Sequence, residues 1–543
     1  MALIMRNEPN LPTQGALLHE NAALHADRTF AVIDGESISY RDFHKRAEAL
    51  ARGMLAYGLK KGDHVGLLMP NCIDFCVAYY AAQLIGAVVV TINARYKSAE
   101  LAHVLGFSDI DILFTTDKID RHVNFGDLLF EAAPDLARQK EGGPLSLSTA
   151  QRLKNIVLFG AARRAPFQSA AELVEAGTRI GVAGDLLRGP GAADDVALML
   201  FTSGTTAMPK ACQISHRNLY QCWVIEYPKV VGVEAGHKIW CPLPCFHIGG
   251  VGLALAAISR GACFLSAGHY DVVSALDLIR EYRPEHLYPG FFTMLMPLLR
   301  DPAYRKENFA SVRSAWMVAP YETHMQMKEY LPPDVALHHN FGMTEGAGMV
   351  SMTRPGLPEE VRLRSNGSAL DECEIRVARA EDDAPLALGQ EGEIQFRGPN
   401  AFRGYYKDEA ATRAAHAPGG WVKTGDCGRM DERGQVYFLG RIKDMLKVGG
   451  ENVGAAEIEA YLGRHEAVAL AQVVGRADEF YGEVPVAFVQ LREGYSASAE
   501  ELIGFCRGKL ANFKVPREVI FVTEWPMSAT KIQKFKLREI LKR

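Results

Sequence analysis

The chain has 543 residues, of which 48% are hydrophobic and 23% are charged, and its net charge is −4 at pH 7. These values are ordinary for a soluble globular protein of several packed units and argue against a disordered chain. No apolar run of 18 residues occurs, and no charged amino-terminal segment leads into an apolar core. We therefore expect no integral membrane span and a cytoplasmic location. The ten cysteines lack the spacing of a zinc site, so we expect reduced thiols.

Helical and strand patterns alternate in the first part of the chain. Helices are predicted over 40–57 and 73–84, and strands over 64–69 and 87–92. This alternation is typical of an α/β fold. The segment 133–144 is rich in alanine, glycine, proline and charged residues. It is predicted to be a loop inside a domain rather than a domain boundary.

A buried strand is predicted over 196–201, and the loop after it reads TSGTTAMPKA. Its hydroxyls, its glycine and its mobile lysine suit a bound phosphate group. The candidate phosphate-binding residues are Thr202, Ser203, Gly204, Thr205, Thr206 and Lys210. A Walker-type loop is disfavoured because Pro209 precedes the lysine and Ala211 follows it. Taken alone, the segment is also compatible with an ordinary surface turn.

Further downstream, the run NFGMTE ends in Thr344 and Glu345. This pair by itself would be a helix cap, yet a carboxylate beside a phosphate loop is what Mg²⁺ requires. WVKTGD supplies Asp426 as an acceptor for ribose hydroxyls, and GRIKD supplies Arg441 as a rigid donor.

The segment 509–543 holds nine lysines and arginines against three glutamates, and includes Lys531. Such a tail could be solvated, could contact nucleic acid, or could bind a small anion. We favour the small anion and expect no nucleic-acid partner, because no aromatic platform or helix-turn-helix pattern accompanies the charge.

The order of these motifs resembles the adenylate-forming superfamily of acyl-CoA synthetases, carrier-protein adenylation domains and firefly-type luciferases. The resemblance covers nearly the whole chain, through ISYRDF at 38–43, NARYKSAEL at 93–101, PLPCFH at 242–247, GEIQFRGP at 392–399 and FYGEVPVAF at 480–488. It implies that ATP converts a carboxylic acid to an acyl-adenylate and pyrophosphate, after which a thiol displaces AMP. The expected cofactors are ATP, Mg²⁺ and coenzyme A.

The resemblance also assigns roles to residues. Glu345 would hold Mg²⁺, Thr344 and the phosphate loop would offset negative charge, and Lys531 would bridge the substrate carboxylate and the α-phosphate. His247 would gate the acyl pocket; taken alone it is more often a packed core residue, and base catalysis stays open. The remaining nucleotide- and CoA-binding candidates are Ala319, Pro320, Asn340, Phe341, Gly342, Met343, Asp426, Arg441, Gly449 and Gly450.

The implied fold is a large amino-terminal domain of α/β sheets with a β-barrel subdomain over 1–442, and a small mobile α+β domain over 444–543. Lys443 would be the hinge. The small domain would present Lys531 for adenylation and the glycine-rich segment 448–453 for thioester formation.

Several positions depart from the family pattern. Alanine replaces the usual glycine at 207 and 211, and Met317 and Val318 replace the glycine pair before Ala319. The motif PMSATKIQK lacks a glycine before its first lysine, so Lys534 is the alternative to Lys531.

Three functions remain open at this point: an acid–CoA ligase, which we favour, an enzyme that loads a carrier protein, and a non-catalytic nucleotide-binding homologue. The predicted acyl-pocket segments 247–252, 288–294 and 340–349 contain no lysine or arginine. We therefore expect a largely apolar monocarboxylate as substrate. A homodimer is compatible with the sequence.

Overall fold

The computed structural model describes residues 11–161, 163–181, 184–202, 209–448, 451–527 and 532–542. Its mixed α/β architecture confirms the predicted fold class, and the strands of this described part form five sheets. The α-helices of eight or more residues are Gln14–Leu24, Tyr40–Ala56, Ile73–Leu84, Ser98–Phe107, Phe125–Ala132, Ala170–Thr178, Ile248–Arg260, Val272–Tyr282, Phe292–Leu299, Tyr321–Tyr330, Ala455–Leu462 and Ala499–Cys506.

The first sheet has eight strands and carries the predicted phosphate loop. Their spatial order is Gly404–Tyr405, Lys210–Ser215, Val196–Thr202, Val88–Thr91, His64–Leu68, Ile110–Thr116, Asn155–Phe159 and Gln168–Ser169. The predicted strand at 196–201 is therefore a core strand, parallel to one neighbour and antiparallel to Lys210–Ser215. The predicted loop at 133–144 contains a short 3-10 helix, Pro134–Arg138.

The second sheet has seven strands, in the spatial order Ala336–His338, Ser314–Val318, His286–Phe291, Lys238–Trp240, Cys263–Ser266, Thr29–Ile33 and Glu36–Ser39. Its pairings are parallel except at the last strand. Because the carboxyl ends of parallel strands share one edge, the turns after Phe291 and Val318 open on the same side.

Shorter antiparallel sheets complete the large unit. Asn340–Phe341, Ser351–Met352 and Ser368–Ala369 make a three-stranded sheet. A five-stranded antiparallel sheet consists of Glu374–Ala378, Gly392–Arg397, Trp421–Met430 and His416–Ala417, with Val436–Arg441 paired to Trp421–Met430.

The carboxy-terminal part is a separate α+β unit. Its strands are Glu451–Val453, Leu446–Val448, Gly482–Leu491, Val468–Asp478 and Glu518–Phe521. They pack with helices Ala455–Leu462 and Ala499–Cys506 around an apolar cluster of their own that includes Ile458 and Val489. A 3-10 helix, Ile442–Asp444, connects this unit to the large one. The limits predicted at 442 and 444 stay a prediction.

All ten cysteines are free thiols. In the part of the chain that the structure describes, no helix is both long enough and apolar enough to cross a membrane.

Candidate active site

The phosphate-loop candidates Thr202 and Lys210 face each other across two antiparallel strands, at the open end of the ladder. The Nζ atom of Lys210 lies 5.2 Å from the centroid of the Tyr405 ring. Ser203, Gly204, Thr205 and Thr206 lie outside the described residues, and so does Ala207. The strand pairing therefore brings the loop's two ends, including its lysine, to one place.

Tyr405 contacts both this lysine, through its ring, and Glu345, through its hydroxyl. The Glu345 carboxylate is buried in the short 3-10 turn Thr344–Gly346, and its Oε1 atom accepts a hydrogen bond of 2.6 Å from the Tyr405 hydroxyl. Burial, followed by the neighbouring Glu345 charge, raises the pKa of Tyr405 well above its usual value. The phenol thus remains a donor, which holds the carboxylate in one orientation.

The turn after Glu345 requires unusual backbone conformations. Ala347 has φ +49° and Gly348 has φ +97°. The amide groups of Gly346 and Gly348 donate to the Met343 carbonyl at 3.1 and 2.9 Å. Gly342 is needed here, because a Cβ at this position would overlap the Gly348 carbonyl. The candidates from 342 to 345 therefore belong to one rigid turn.

Asp426 and Arg441, predicted as a ribose-binding pair, are direct partners on neighbouring strands. The guanidinium Nε lies 2.7 Å from the carboxylate Oδ1, with Asp426 buried and Arg441 partly exposed. The Asp426 amide also donates to the Thr424 hydroxyl at 3.1 Å. A carboxylate oriented by a guanidinium in this way is suited to accept hydrogen bonds from a sugar diol.

Two of the nucleotide-binding candidates, Phe341 and Asn340, each contact an aromatic side chain. Phe341 is buried and stacks on Phe438, with ring centroids 5.8 Å apart. Asn340 Oδ1 accepts a 3.0 Å hydrogen bond from Trp316 Nε1, so this side chain is held by the strand Ser314–Val318, which ends just before Ala319. Pro320 is the N-cap of helix Tyr321–Tyr330.

His247 caps the amino-terminal end of helix Ile248–Arg260. Two hydrogen bonds hold the segment before it. The Cys245 amide donates to Asn71 Oδ1 at 2.6 Å, and the hydroxyl of Thr91, in the first sheet, donates to the Phe246 carbonyl at 3.1 Å. The histidine is therefore at a defined position beside the glycines of that helix.

The three predicted acyl-pocket segments converge. A Cβ at Gly249 would lie 2.7 Å from the Leu243 side chain, and one at Gly290 would lie 2.6 Å from it. A Cβ at Gly252 would overlap the Trp223 indole, and one at Gly348 would lie 2.9 Å from it.

Lys531, Gly449 and Gly450 lie outside the described residues. The alternative lysine, Lys534, lies inside the small unit, where its Nζ atom is 2.5 Å from Glu459 Oε1 and 3.3 Å from the Val473 carbonyl. This engagement leaves Lys531 as the better candidate for the reacting groups.

Sequence reasoning missed Tyr405, Phe438 and Trp223. A signal for Tyr405 was available in the aromatic pair of RGYYKD at 403–408. The other two lie in unremarkable apolar stretches.

Mg²⁺ fits Glu345, because this ion commonly uses one or two carboxylates together with substrate phosphates. Among the described residues, no group of three or more histidine, cysteine, aspartate or glutamate side chains could hold a metal ion. Protein ligands alone therefore do not form a metal cage in that part of the chain.

The fold and this arrangement of a lysine, a buried carboxylate and the Asp426–Arg441 pair define the class of nucleotide-dependent enzymes that activate acids. The model for the family "AMP-binding enzyme" matches residues 18–406, and the model for "AMP-binding enzyme C-terminal domain" matches residues 457–531.

Proteins that are similar to this chain in sequence or in structure belong to the same class. YngI of Bacillus subtilis (strain 168), named among acyl-CoA synthetases, is 32% identical over 97% of this chain and 96% of its own. The mitochondrial medium-chain acyl-CoA ligase ACSF2 of Mus musculus is 31% identical over 97% of this chain and 87% of its own. ATP-bound MatB from Rhodopseudomonas palustris is 26% identical, with a TM-score of 0.81 and coverage of 98% and 99%. The chain belongs to the AMP-binding enzyme family, which confirms the predicted adenylate-forming superfamily.

Proposed function

We propose that the chain joins a small, largely apolar monocarboxylic acid to coenzyme A in an ATP- and Mg²⁺-dependent reaction. The observation that carries this proposal is that Tyr405 contacts both Glu345 and Lys210, because a carboxylate and a lysine close to one loop suit Mg²⁺ and phosphate groups. Names of similar proteins as acyl-CoA ligases support coenzyme A as the thiol. A cytoplasmic location and a homodimer stay predictions.

In the first step, a carboxylate oxygen of the substrate attacks the α-phosphorus of ATP, and the bond to pyrophosphate breaks. The loop residues from Thr202 to Thr206 and Lys210 would bind the phosphates, and Asp426 with Arg441 would orient the ribose. Mg²⁺ bound at Glu345 would offset the charge of the phosphates. Lys531 would hold the attacking carboxylate against the α-phosphate.

In the second step, the thiol sulfur attacks the acyl carbon, AMP leaves and the thiol loses its proton. His247 would border the path of the thiol from its position at the start of helix Ile248–Arg260. Gly449 and Gly450 would face the site in this step. The roles proposed for His247, Gly449 and Gly450 follow from the resemblance of the chain to the adenylate-forming superfamily.

The purified protein is expected to release pyrophosphate and AMP when it is given Mg²⁺, ATP and an apolar acid, with thioester forming only after coenzyme A is added. A panel of acids assayed for pyrophosphate release tests this prediction. ADP and inorganic phosphate as the products would contradict the proposed reaction.

Tyr405→Phe is expected to lower the rate of adenylation on the order of tenfold and to raise the Mg²⁺ concentration needed for half-maximal rate. The reason is the loss of one hydrogen bond to a charged carboxylate. The measurement is pyrophosphate release against Mg²⁺ concentration.

Tyr406→Phe is the matched control, because the Tyr406 hydroxyl also donates to a carboxylate, Asp109 Oδ2, at 2.8 Å. If the Mg²⁺ requirement changes equally in both variants, or changes in neither variant, Tyr405 is not the residue that orients Glu345.

A further inference from the structure

Asn366 is a buried residue whose side chain joins two strands of different sheets. Its Oδ1 atom accepts a 2.8 Å hydrogen bond from the backbone amide of Phe438, on strand Val436–Arg441. Its Nδ2 atom donates to the carbonyl of Asn340, on strand Asn340–Phe341, at 3.4 Å. One side chain therefore connects two strands that both carry nucleotide-binding candidates.

The surroundings of Asn366 allow one orientation of its side-chain amide. The backbone amide of Phe438 can only donate, so the side-chain oxygen must face it. The side-chain nitrogen then donates to His339 Nε2 at 3.2 Å. Burial lowers the pKa of His339 to about 3, so its ring is neutral at pH 7 and has a nitrogen that can accept this bond. Both ends of the amide are therefore engaged.

The backbone of Asn366 is also held in place. Its amide donates to the Val436 carbonyl at 2.7 Å, and its carbonyl accepts a 2.7 Å hydrogen bond from the Ser351 hydroxyl. Gly367 follows with φ +84°, and a Cβ at that position would overlap the Met352 backbone. The segment therefore lies tightly between its neighbours, and the side chain of Asn366 starts from a fixed point.

The strand Val436–Arg441 offers accessible side chains to a ligand. Phe438 is 37% exposed, and 41% of the Arg441 side chain is exposed. The ladder with strand Trp421–Met430 shifts register between Phe438 and Gly440, so the strand carries one extra residue there, as in a β-bulge. Bulges are over-represented next to active sites, where they redirect a side chain. This strand therefore combines a reachable ring and a reachable guanidinium over a short length.

We propose that Asn366 is a positioning residue for the nucleotide, which holds the strand of Phe341 at a fixed distance from the strand of Arg441. The inference rests on the proposed function, because it takes the Asp426–Arg441 pair as the ribose site. The base and the ribose of ATP are joined by a single bond. Contacts from the two strands can therefore form together only if the strands keep their relative position.

The test measures kcat and KM of pyrophosphate release with ATP and with 2′-deoxy-ATP, and the binding of AMP and 2′-deoxy-AMP by calorimetry. Asn366→Ala is expected to raise the KM for ATP about tenfold, because the hydrogen bonds that hold the two strands are lost. The KM for the acid is expected to stay within about twofold. The preference for the ribonucleotide over the deoxyribonucleotide is expected to fall, because Asp426 no longer has a fixed position relative to the base. A loss of folded protein alone would lower the amount of active enzyme and leave KM and this preference unchanged.

His339→Phe keeps a ring but removes the acceptor for the Asn366 amide. It is expected to shift the KM for ATP and the ribose preference in the same direction by less, which provides a result if Asn366→Ala does not fold. Gln83→Ala is the matched control. Gln83 is also a buried amide, and it donates to the Ala197 carbonyl at 2.9 Å, near the start of strand Val196–Thr202. This variant is expected to lower thermal stability and to leave the KM for ATP and the preference unchanged.

The outcomes separate the two proposals. If the native protein binds no adenine nucleotide, the proposed function is wrong, and this inference is wrong with it. If it binds AMP but no acid supports pyrophosphate release, the proposed reaction is wrong, and AMP binding by the variants still decides the role of Asn366. This inference alone is wrong if folded Asn366→Ala and His339→Phe bind nucleotide with native affinity and native ribose preference. It is also wrong if Gln83→Ala shows an equal shift.

Discussion

Lys531→Ala is expected to slow adenylate formation about a thousandfold while thioester formation from pre-made acyl-adenylate stays within about twofold. The first step requires two anions, the carboxylate and the α-phosphate, to approach each other. One cation about 4 Å away, at an effective dielectric constant near 20, contributes roughly 4 kcal/mol. In the second step this contact is not needed, because the adenylate is already formed. Single-turnover rates measured separately for each half-reaction test the prediction.

Lys534→Ala is the control for this experiment. Lys534 lies close to Lys531 in the chain, but its ammonium group pairs with Glu459 inside the small unit. Its removal is expected to lower thermal stability and to change both half-reactions similarly. Selective loss of adenylation in Lys534→Ala, with Lys531→Ala close to native, would show that the motif at 526–534 is aligned wrongly.

Lys443→Pro is expected to slow one half-reaction on the order of a hundredfold and the other by much less. Lys443 is the middle residue of the 3-10 helix Ile442–Asp444, between Arg441, which we propose binds the ribose, and the small unit. Proline fixes φ near −65° and disfavours the α conformation of the residue before it. If the small domain rotates about this position, one of its two orientations would be lost.

Lys443→Ala is the matched variant, because it removes an exposed side chain without restricting φ. It is expected to retain both activities. Arg538 pairs with Asp444 at 2.6 Å and donates to the Lys443 carbonyl at 3.5 Å, which ties the connecting segment to the small unit. Equal slowing of both half-reactions in Lys443→Pro, or slowing of neither, would contradict a hinge at this residue.

Local patterns in the sequence were sufficient for much of the fold and of the chemistry. Apolar runs predicted the core strand before the phosphate loop, and periodicity predicted the helices at 40–57 and 73–84 within a residue of their observed bounds. Ordered motifs predicted the family, while the roles that they assign to side chains at phosphate, ribose and acid stay predictions. These features depend on residue type and short spacing, which a single sequence displays directly.

Contacts between distant segments depended on tertiary structure. Tyr405 orients Glu345 because the short strand Gly404–Tyr405 joins the edge of the first sheet, a pairing that no local pattern indicates. The engagement of Lys534 by Glu459 likewise depends on how the small unit packs.

By itself, the sequence determined the order of the motifs, and with it the family and the type of reaction. Only the tertiary structure determined which residues from distant segments pack against one another. Trp223, Gly252 and Gly348 come from three separate segments, and each is ordinary in its own surroundings. The indole packs against both glycines, and this contact depends on sheet order and helix packing, because only folding brings the three segments together.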